Sequence, residues 1–159
     1  MALIEFKDLP DTTTPLNADN LNNNFNELDN KLNLKGSYAY FSQTTSLTLT
    51  NLTAWTNHQL PLSNASFQRS NTDFEKNGDY IKCNFTGTVL VYRYFANDQT
   101  GETDIIDNLG YVTATGTRQA YSLSIVSVTP STNLDFVFSG AMSGDVVIYG
   151  ARLIAVRLS

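Results

Sequence analysis

From Tyr38 onward, the sequence consists of short runs of β-forming residues that alternate with clusters of turn-forming residues. The clusters include 77–79, 115–117 and 143–145, where a glycine stands between small polar residues and favours a tight turn. About eight to ten short strands at this spacing predict a sandwich or barrel of antiparallel sheets. The runs cover 38–42, 46–50, 54–60, 79–95, 111–114, 120–128, 134–138 and 146–158.

Charged residues are scarce, at 16% of the chain against about 25% in an ordinary soluble domain. Threonine, asparagine and serine take their place, and such neutral polar side chains suit β-surfaces and turns. The net charge of −5 offers no basic surface for nucleic acid. We also expect no membrane span and no signal peptide, because no stretch has the required length and apolar character.

The chain has one histidine and one cysteine. This composition excludes a disulfide framework and a Cys/His zinc site within one chain, and it leaves His58 as the only base for a serine or cysteine triad. Cys83 has the same strand parity as Ile81 and Phe85, so we expect a small buried apolar residue there rather than a nucleophile. We therefore expect a binding or structural protein without catalytic residues, and not an enzyme.

Residues 16–36 carry a helical pattern, with Asn17 as a suitable N-cap and Gly36 as a suitable terminator. The apolar positions are four, three and four residues apart, which is the spacing of a coiled-coil seam. The polar residues at the other positions favour self-association of several copies into a short stalk; the alternative is that the stripe packs on the chain's own β domain. The seam residues are Leu21, Phe25, Leu28 and Leu32.

Residues 1–15 precede the helical pattern and have no periodicity of their own. Pro10, Pro15 and a threonine run discourage regular structure, yet several apolar side chains could dock on another surface. We expect this lead-in to become ordered only against a partner. The predicted organisation is therefore a lead-in at 1–15, a helical stalk at 16–36 and a β-sandwich at 37–159.

Two of the predicted strands are apolar on both faces, namely 89–95 and 146–158. A two-layer fold buries only one face of each strand within its own core. The second face therefore meets either another subunit or an extra element such as the helix. For the first case, the expected interface residues in the β domain are Tyr92, Tyr149, Ile154 and Val156.

The opening 6–22 resembles the start of many tail and baseplate proteins from phages and prophages of Gram-positive bacteria. In those proteins, the stretch is a virion-attachment segment that leads into a short trimeric stalk. The resemblance implies attachment to another virion protein and a place in the tail or baseplate, after synthesis in the host cytoplasm. A capsid head fibre or decoration protein is an alternative.

The later region resembles the jelly-roll head of the tumour-necrosis-factor and complement-globular superfamily. The matching features are Trp55 and Leu60 in an early strand, Phe74 before 78–81, and the closing 149–158. The resemblance implies a jelly-roll head, a homotrimer and an adhesion role, as in phage receptor-binding heads. A bacterial adhesin with the same head is another alternative. Trp55 is expected in the core.

A saccharide receptor is expected for such a head. Saccharide recognition needs an aromatic platform beside carboxylate, amide and guanidinium groups that bond hydroxyls, and the acidic balance favours a neutral cell-wall glycan over phosphate-rich teichoic acid. We expect the site on loops or in clefts between subunits, where weak sites gain avidity by repetition. The candidate residues are His58, Tyr94, Asn97, Asp98, Asp104, Arg118 and Tyr121.

An acidic stretch is the best candidate for a metal site, since calcium prefers several carboxylate or carbonyl oxygens. It lacks the Asp-x-Asn-x-Asp-Gly pattern of a dedicated calcium loop, so a solvated turn without metal is the favoured interpretation. The residues are Asp98, Glu102, Asp104 and Asp107.

Overall fold

The computed structural model describes residues 36–108 and 110–159. This part of the chain contains 13 strands, and every strand pair in it is antiparallel. The predicted lead-in and the seam Leu21, Phe25, Leu28 and Leu32 lie outside the described residues. The strands are β1 Tyr38–Gln43, β2 Leu47–Leu52, β3 His58–Gln59, β4 Ser66–Arg69, β5 Phe74–Asn77, β6 Tyr80–Cys83, β7 Gly87–Asn97, β8 Glu102–Ile106, β9 Val112–Thr117, β10 Gln119–Val128, β11 Asn133–Leu134, β12 Val137–Gly140 and β13 Gly144–Arg157.

The largest sheet has six strands, in the order β10-β7-β13-β1-β4, with β2 paired to the first part of β13. Strand β13 is 14 residues long and pairs with β1, β2 and β7. Its pairing with β7 shifts register between Ile148 and Gly150, which leaves Tyr149 in a β-bulge. This one strand therefore holds the whole sheet together.

A second layer packs on the inner face of the six-stranded sheet. It consists of a three-stranded sheet, β11-β6-β5, and a four-stranded sheet, β3-β12-β8-β9. Aromatic side chains join the layers: the Phe95 ring centroid lies 4.8 Å from that of Phe138 and 6.1 Å from that of Phe136. The core is continuous between the layers, as predicted for an antiparallel sandwich.

The strand registers define two opposite ends of the sandwich. Ser37 and Ser159 meet the start of β7 at one end, where Arg157 N donates to Ser37 O and Thr88 N donates to Ser159 O; we term this the proximal end. At the other end, which we term the distal end, Leu52 pairs with Gly144 and Glu102 pairs with Thr117. The distal end therefore carries the loops 53–57, 98–101 and 141–143 and the turn around Arg118.

The expectation of a buried Trp55 is wrong. Trp55 lies in the loop between β2 and β3, its φ is 61°, and 62% of its surface is exposed. Of the predicted strand 54–60, only the two residues of β3 are in a strand, because the Thr- and Asn-rich segment before them forms a loop. The interpretation of Cys83 is confirmed, since the residue is fully buried and burial raises the pKa of its thiol to about 12.

The predicted solvated turn at the acidic stretch is also wrong in part. Residues Glu102–Ile106 form strand β8, which pairs with β12 and β9. Asp104 is buried in this strand and accepts a 2.6 Å hydrogen bond from Thr115 Oγ1. The neighbouring Ile105 and Ile106 supply the apolar contacts that make the segment a strand.

Candidate functional site

The outer face of the six-stranded sheet is apolar across four strands. Strand registers align two rows of side chains that point away from the core. One row runs Leu123, Tyr92, Ile154, Tyr40 and the other runs Ile125, Leu90, Val156, Tyr38. We term these eight residues the outer apolar face.

This face is partly open to solvent in the single chain. Leu123 is 64% exposed, Ile125 is 68% exposed and Tyr38 is 40% exposed, while the other five residues of the face are half-buried. The alternate residues of the same sheet, such as Val91 and Leu153, are fully buried. Both faces of β7 and β13 are therefore apolar, as the sequence predicts. A contiguous exposed apolar surface of this kind is unusual for a monomer and marks an interaction site.

A surface groove with a volume of about 450 Å³ lies beside this face, towards the distal end. It opens where β7, β10 and β13 approach the turn between β9 and β10. Two tyrosine rings and four polar side chains surround a floor of small residues, which is a mixture of apolar and hydrogen-bonding surface. The lining residues are Tyr94, Ala96, Asn97, Asp98, Arg118, Gln119, Tyr149 and Gly150.

Local backbone geometry creates this groove. The bulge in β13 places Tyr149 as an extra residue against β7, with Gly150 opposite Ala96. A Cβ at Gly150 would lie 3.9 Å from Tyr94 Cε1, so a larger side chain there would occupy the groove. Arg118 has a φ of 58°, a left-handed conformation that lets the chain turn directly from β9 into β10.

Two of the lining residues hold the groove in shape. Asn97 Oδ1 accepts a 2.8 Å hydrogen bond from Gln99 N, and Asn97 is buried. Asp98 Oδ1 accepts a 3.0 Å hydrogen bond from Val147 N, and thereby ties β7 to the start of β13. Arg118 and Gln119 are exposed beside them, so the guanidinium and the amide can reach a ligand.

Five of the seven predicted receptor residues come together at the groove. Tyr94, Asn97, Asp98 and Arg118 line it, and Tyr121 pairs directly with Tyr94 on the adjacent strand. Gln119 and Gly150 were missed, because their position depends on the β9–β10 turn and on the register of β13. Tyr149, predicted as an interface residue, lies in the groove as well.

The other two predicted residues, His58 and Asp104, do not line the groove. His58 Nε2 lies 2.9 Å from Thr53 O and 2.9 Å from Thr56 Oγ1, and its ring centroid lies 5.6 Å from that of Phe138. Asp104 is buried in β8. Both side chains are engaged in local structure, for which the sequence pattern gave no signal.

A buried arginine was also missed by the sequence reasoning. Arg93 is fully buried on the inner face of β7, where Nε donates a 2.9 Å hydrogen bond to Asp135 O and Nη2 donates to Asn108 Oδ1. Arg93 Nη2 also lies 3.7 Å from Asp135 Oδ1. Burial lowers the pKa of Arg93 and raises the pKa of Asp135. The hydrogen bond from Arg93 to Asn108 ties the end of β8 and the residues after it to the inner face of β7.

Within 36–108 and 110–159, no three His, Cys, Asp or Glu side chains are grouped so that they could hold a metal ion. Asp98, Glu102, Asp104 and Asp107 accordingly form no such group. No helix in this part of the chain combines the length and the apolar character needed to cross a membrane.

Comparison with protein-family models and with curated proteins gives no match to this sequence. Solved structures do match. One described as PRD1 vertex protein P5 has a TM-score of 0.60 at 10% identity, covering 78% of this chain and 98% of that chain. The Eiger TNF structure from S. frugiperda has a TM-score of 0.51 at 10% identity, covering 78% of this chain and 94% of that chain. These similarities establish a tumour-necrosis-factor-like jelly roll.

Proposed function

We propose that this chain is a homotrimeric fibre protein of a phage virion that binds a saccharide receptor on the host cell. The observation that carries the proposal is the outer apolar face, which needs a partner surface, next to a groove at the end remote from Ser37. The role proposed is binding, without catalysis and without a cofactor. The host is a Gram-positive bacterium, and the protein belongs to the tail or baseplate.

Self-association is supported by the chemistry of the outer apolar face. Tyr92, Ile154 and Tyr40 stand side by side across three strands, and their burial against other copies would remove a large apolar area from water at about 25 cal/mol per Å². The face by itself requires only an apolar partner surface, and a second copy of the chain would supply one. The number three comes from the resemblance to the tumour-necrosis-factor superfamily.

The fibre role is supported by the positions of the chain entry and the groove, which lie towards opposite ends of the head. The described part of the chain begins at the proximal end, with Gly36 and Ser37. Along β13, the groove at Gly150 is six residues from Val156, the partner of Tyr38, or about 20 Å at the usual strand rise. An attachment segment at one end and a binding groove at the other suit a fibre tip. The structural similarity to PRD1 vertex protein P5 also favours a virion component.

The saccharide receptor is supported by the composition of the groove. The rings of Tyr94 and Tyr149 offer apolar surface, while Arg118 and Gln119 offer hydrogen-bond donors to sugar hydroxyls. The net charge of −5 favours a neutral glycan over a polyanion. Three weak sites on one head would act together through avidity.

The proposal is tested by the mass of the protein and by adhesion to cells. Light scattering should give about 53 kDa, three times the chain mass of 17.6 kDa, and the fluorescently labelled protein should bind Gram-positive cells of its host in a way that soluble wall glycan inhibits. A mass of 17.6 kDa would contradict the trimer. Absence of adhesion by an intact trimer would contradict the receptor role.

Immunogold labelling distinguishes the proposal from its two alternatives. A tail or baseplate protein would be labelled at the tail tip of virions, and a capsid head fibre or decoration protein would be labelled on the head. A bacterial adhesin with the same jelly roll would label the cell envelope and no particle.

A further inference from the structure

Trp55 is presented to solvent by a backbone conformation that its side chain disfavours. It is the chain's single tryptophan, it is 62% exposed, and its φ is 61°. A bulky residue at positive φ is an outlier that persists only where the surrounding structure enforces it. The loop therefore uses folding free energy to hold an indole outside the core.

Three contacts fix the backbone of this loop. Trp55 N donates a 2.6 Å hydrogen bond to Gly140 O. On the other side, Thr53 O accepts a 2.7 Å hydrogen bond from Thr56 Oγ1 and lies 2.9 Å from His58 Nε2. These contacts involve the backbone and the neighbouring side chains, so the indole itself stays free.

The hydrogen bond from Trp55 N to Gly140 O depends on a position that only glycine can occupy. The φ of Gly140 is 132°, and a Cβ at this position would collide with the carbonyl oxygen of Glu102. The backbone of β12 can therefore approach β8 closely only because no side chain intervenes. The backbone that carries Trp55 is consequently fixed through Gly140, and a ligand would pay little additional entropy to order this backbone.

The surroundings of the indole indicate which ligand it suits. Residues 51–57 contain no charged side chain, and Thr53, Thr56 and Asn57 are exposed around Trp55. A protein hot spot would be surrounded by further packing residues, and a membrane-binding segment would carry several apolar or basic side chains. A sugar ring needs one aromatic face for its C–H groups and neutral hydrogen-bonding groups for its hydroxyls.

We infer that Trp55, Thr53, Thr56 and Asn57 form a second saccharide-binding site, which takes a neutral pyranose unit stacked on the indole. The inference deepens the proposed receptor-binding function and rests on it. The site shares the distal end with the groove: Asp145 Oδ1 accepts a hydrogen bond from Asn51 N, and the backbone oxygen of Asp145 accepts one from Gln99 Nε2. One glycan chain could thus contact both sites.

Because Trp55 is the single tryptophan, its fluorescence reports directly on sugar binding at the proposed site. The full-length protein is titrated with glucose, galactose, N-acetylglucosamine and rhamnose, each as the free sugar and as a short oligosaccharide, while the indole emission is recorded. A saturable blue shift with at least one of these sugars is the expected result, because stacking removes water from the indole.

Trp55→Gly is the decisive variant, with calorimetry as the readout. Glycine relieves the left-handed strain at this position, so the melting temperature should stay equal or rise, while the affinity for the sugar that shifts the emission should fall at least tenfold. Trp55→Tyr should recover part of the affinity. Tyr111→Ala removes another exposed aromatic, at the opposite end of the four-stranded sheet, and should change nothing.

The outcomes separate this inference from the proposed function. If no sugar shifts the emission while calorimetry detects binding that Arg118→Ala weakens, the inference of a Trp55 site is wrong, and the proposed binding in the groove is supported. If Trp55→Gly lowers the melting temperature and leaves affinity unchanged, the residue is structural and the inference is again wrong. If no sugar binds by either method and the trimer does not adhere to cells, both proposals fail.

Discussion

The Ser37 hydroxyl donates a 2.6 Å hydrogen bond to Asp73 Oδ2, which ties the residue leading into β1 to the loop between β4 and β5. Arg157 Nη1 lies 3.1 Å from the same carboxylate oxygen, and the Arg157 guanidinium carbon lies 4.2 Å from the ring centroid of Phe85. The proximal end is thus closed by one carboxylate that joins the first described strand to the last.

Low pH should weaken the stabilisation that the Asp73 carboxylate provides at the proximal end. Burial raises the pKa of Asp73, but hydrogen bonds from Ser37 and Arg157 and the charge of Arg157 outweigh it, so the pKa lies below its ordinary value. The stabilisation is complete above the unfolded pKa of about 3.9 and is lost as the pH falls through the lower folded pKa. The melting temperature should therefore drop as the pH is lowered below about 4.

Asp73→Asn checks the origin of that pH dependence. It should lower stability at neutral pH by about 1–3 kcal/mol, the range for a hydrogen-bonded charged group, and flatten the acid limb of the melting curve. Glu102→Gln removes an exposed carboxylate at the distal end and serves as the control. An unchanged acid limb in Asp73→Asn would assign the pH dependence to other groups.

Ile154→Asp should abolish the trimer. Ile154 stands between Tyr92 and Tyr40 in the outer apolar face, so assembly would bury an unpaired carboxylate in each copy, at a cost of about 3–5 kcal/mol. Light scattering should show the mass falling to 17.6 kDa, with the far-UV spectrum retained. Val112→Asp places the same charge on an exposed position of β9 and should leave the trimer intact.

Arg118 should be needed for adhesion. Loss of its charged hydrogen bonds is expected to weaken cell binding about tenfold per site, equivalent to about 1.4 kcal/mol. Arg118→Ala and Arg118→Gly should bind equally weakly, but the glycine variant should be about 1 kcal/mol more stable, because the position has a positive φ. Lys82→Ala, which removes a cation from the other layer, should bind normally.

Deletion of residues 1–15 should leave a folded trimer that is no longer incorporated into virions. The segment has apolar side chains but no periodicity with which to fold alone. Circular dichroism and light scattering measure the first part, and immunoblots of purified particles measure the second. Unfolding of the head on deletion would mean that the segment is part of the head.

The fold class was predictable because apolar alternation and turn chemistry are local properties of the sequence. The two apolar faces of β7 and β13 were also visible, since strand parity puts Tyr92 and Val91 on opposite sides of β7, and Ile154 and Leu153 on opposite sides of β13. That Tyr92 and Ile154 share one side follows from the register between the two strands. The existence of a second apolar face was thus available before the structure, and its composition was not.

The details of the candidate sites depend on contacts between distant residues. Trp55 was assigned to the core because aromatic residues in a β-rich segment are usually buried; its exposure is fixed by Gly140, which is 85 positions away in the sequence. Gln119 and Gly150 reach the groove through the turn at Arg118 and the bulge at Tyr149. Neither the turn conformation nor the bulge leaves a signature in composition.

The position of β13 has a consequence for synthesis of the protein. This strand, Gly144–Arg157, is translated after all its partners. Without it the large sheet separates into two unconnected pairs, β10 with β7 and β4 with β1, and β2 loses its partner strand. The sheet therefore cannot form completely while residues 144–157 remain in the ribosome, and its completion waits for β13 to emerge. A nascent chain stopped before β13 would lack Ile154 and Val156 of the outer apolar face. Only a chain that contains β13 would present that whole face to a partner.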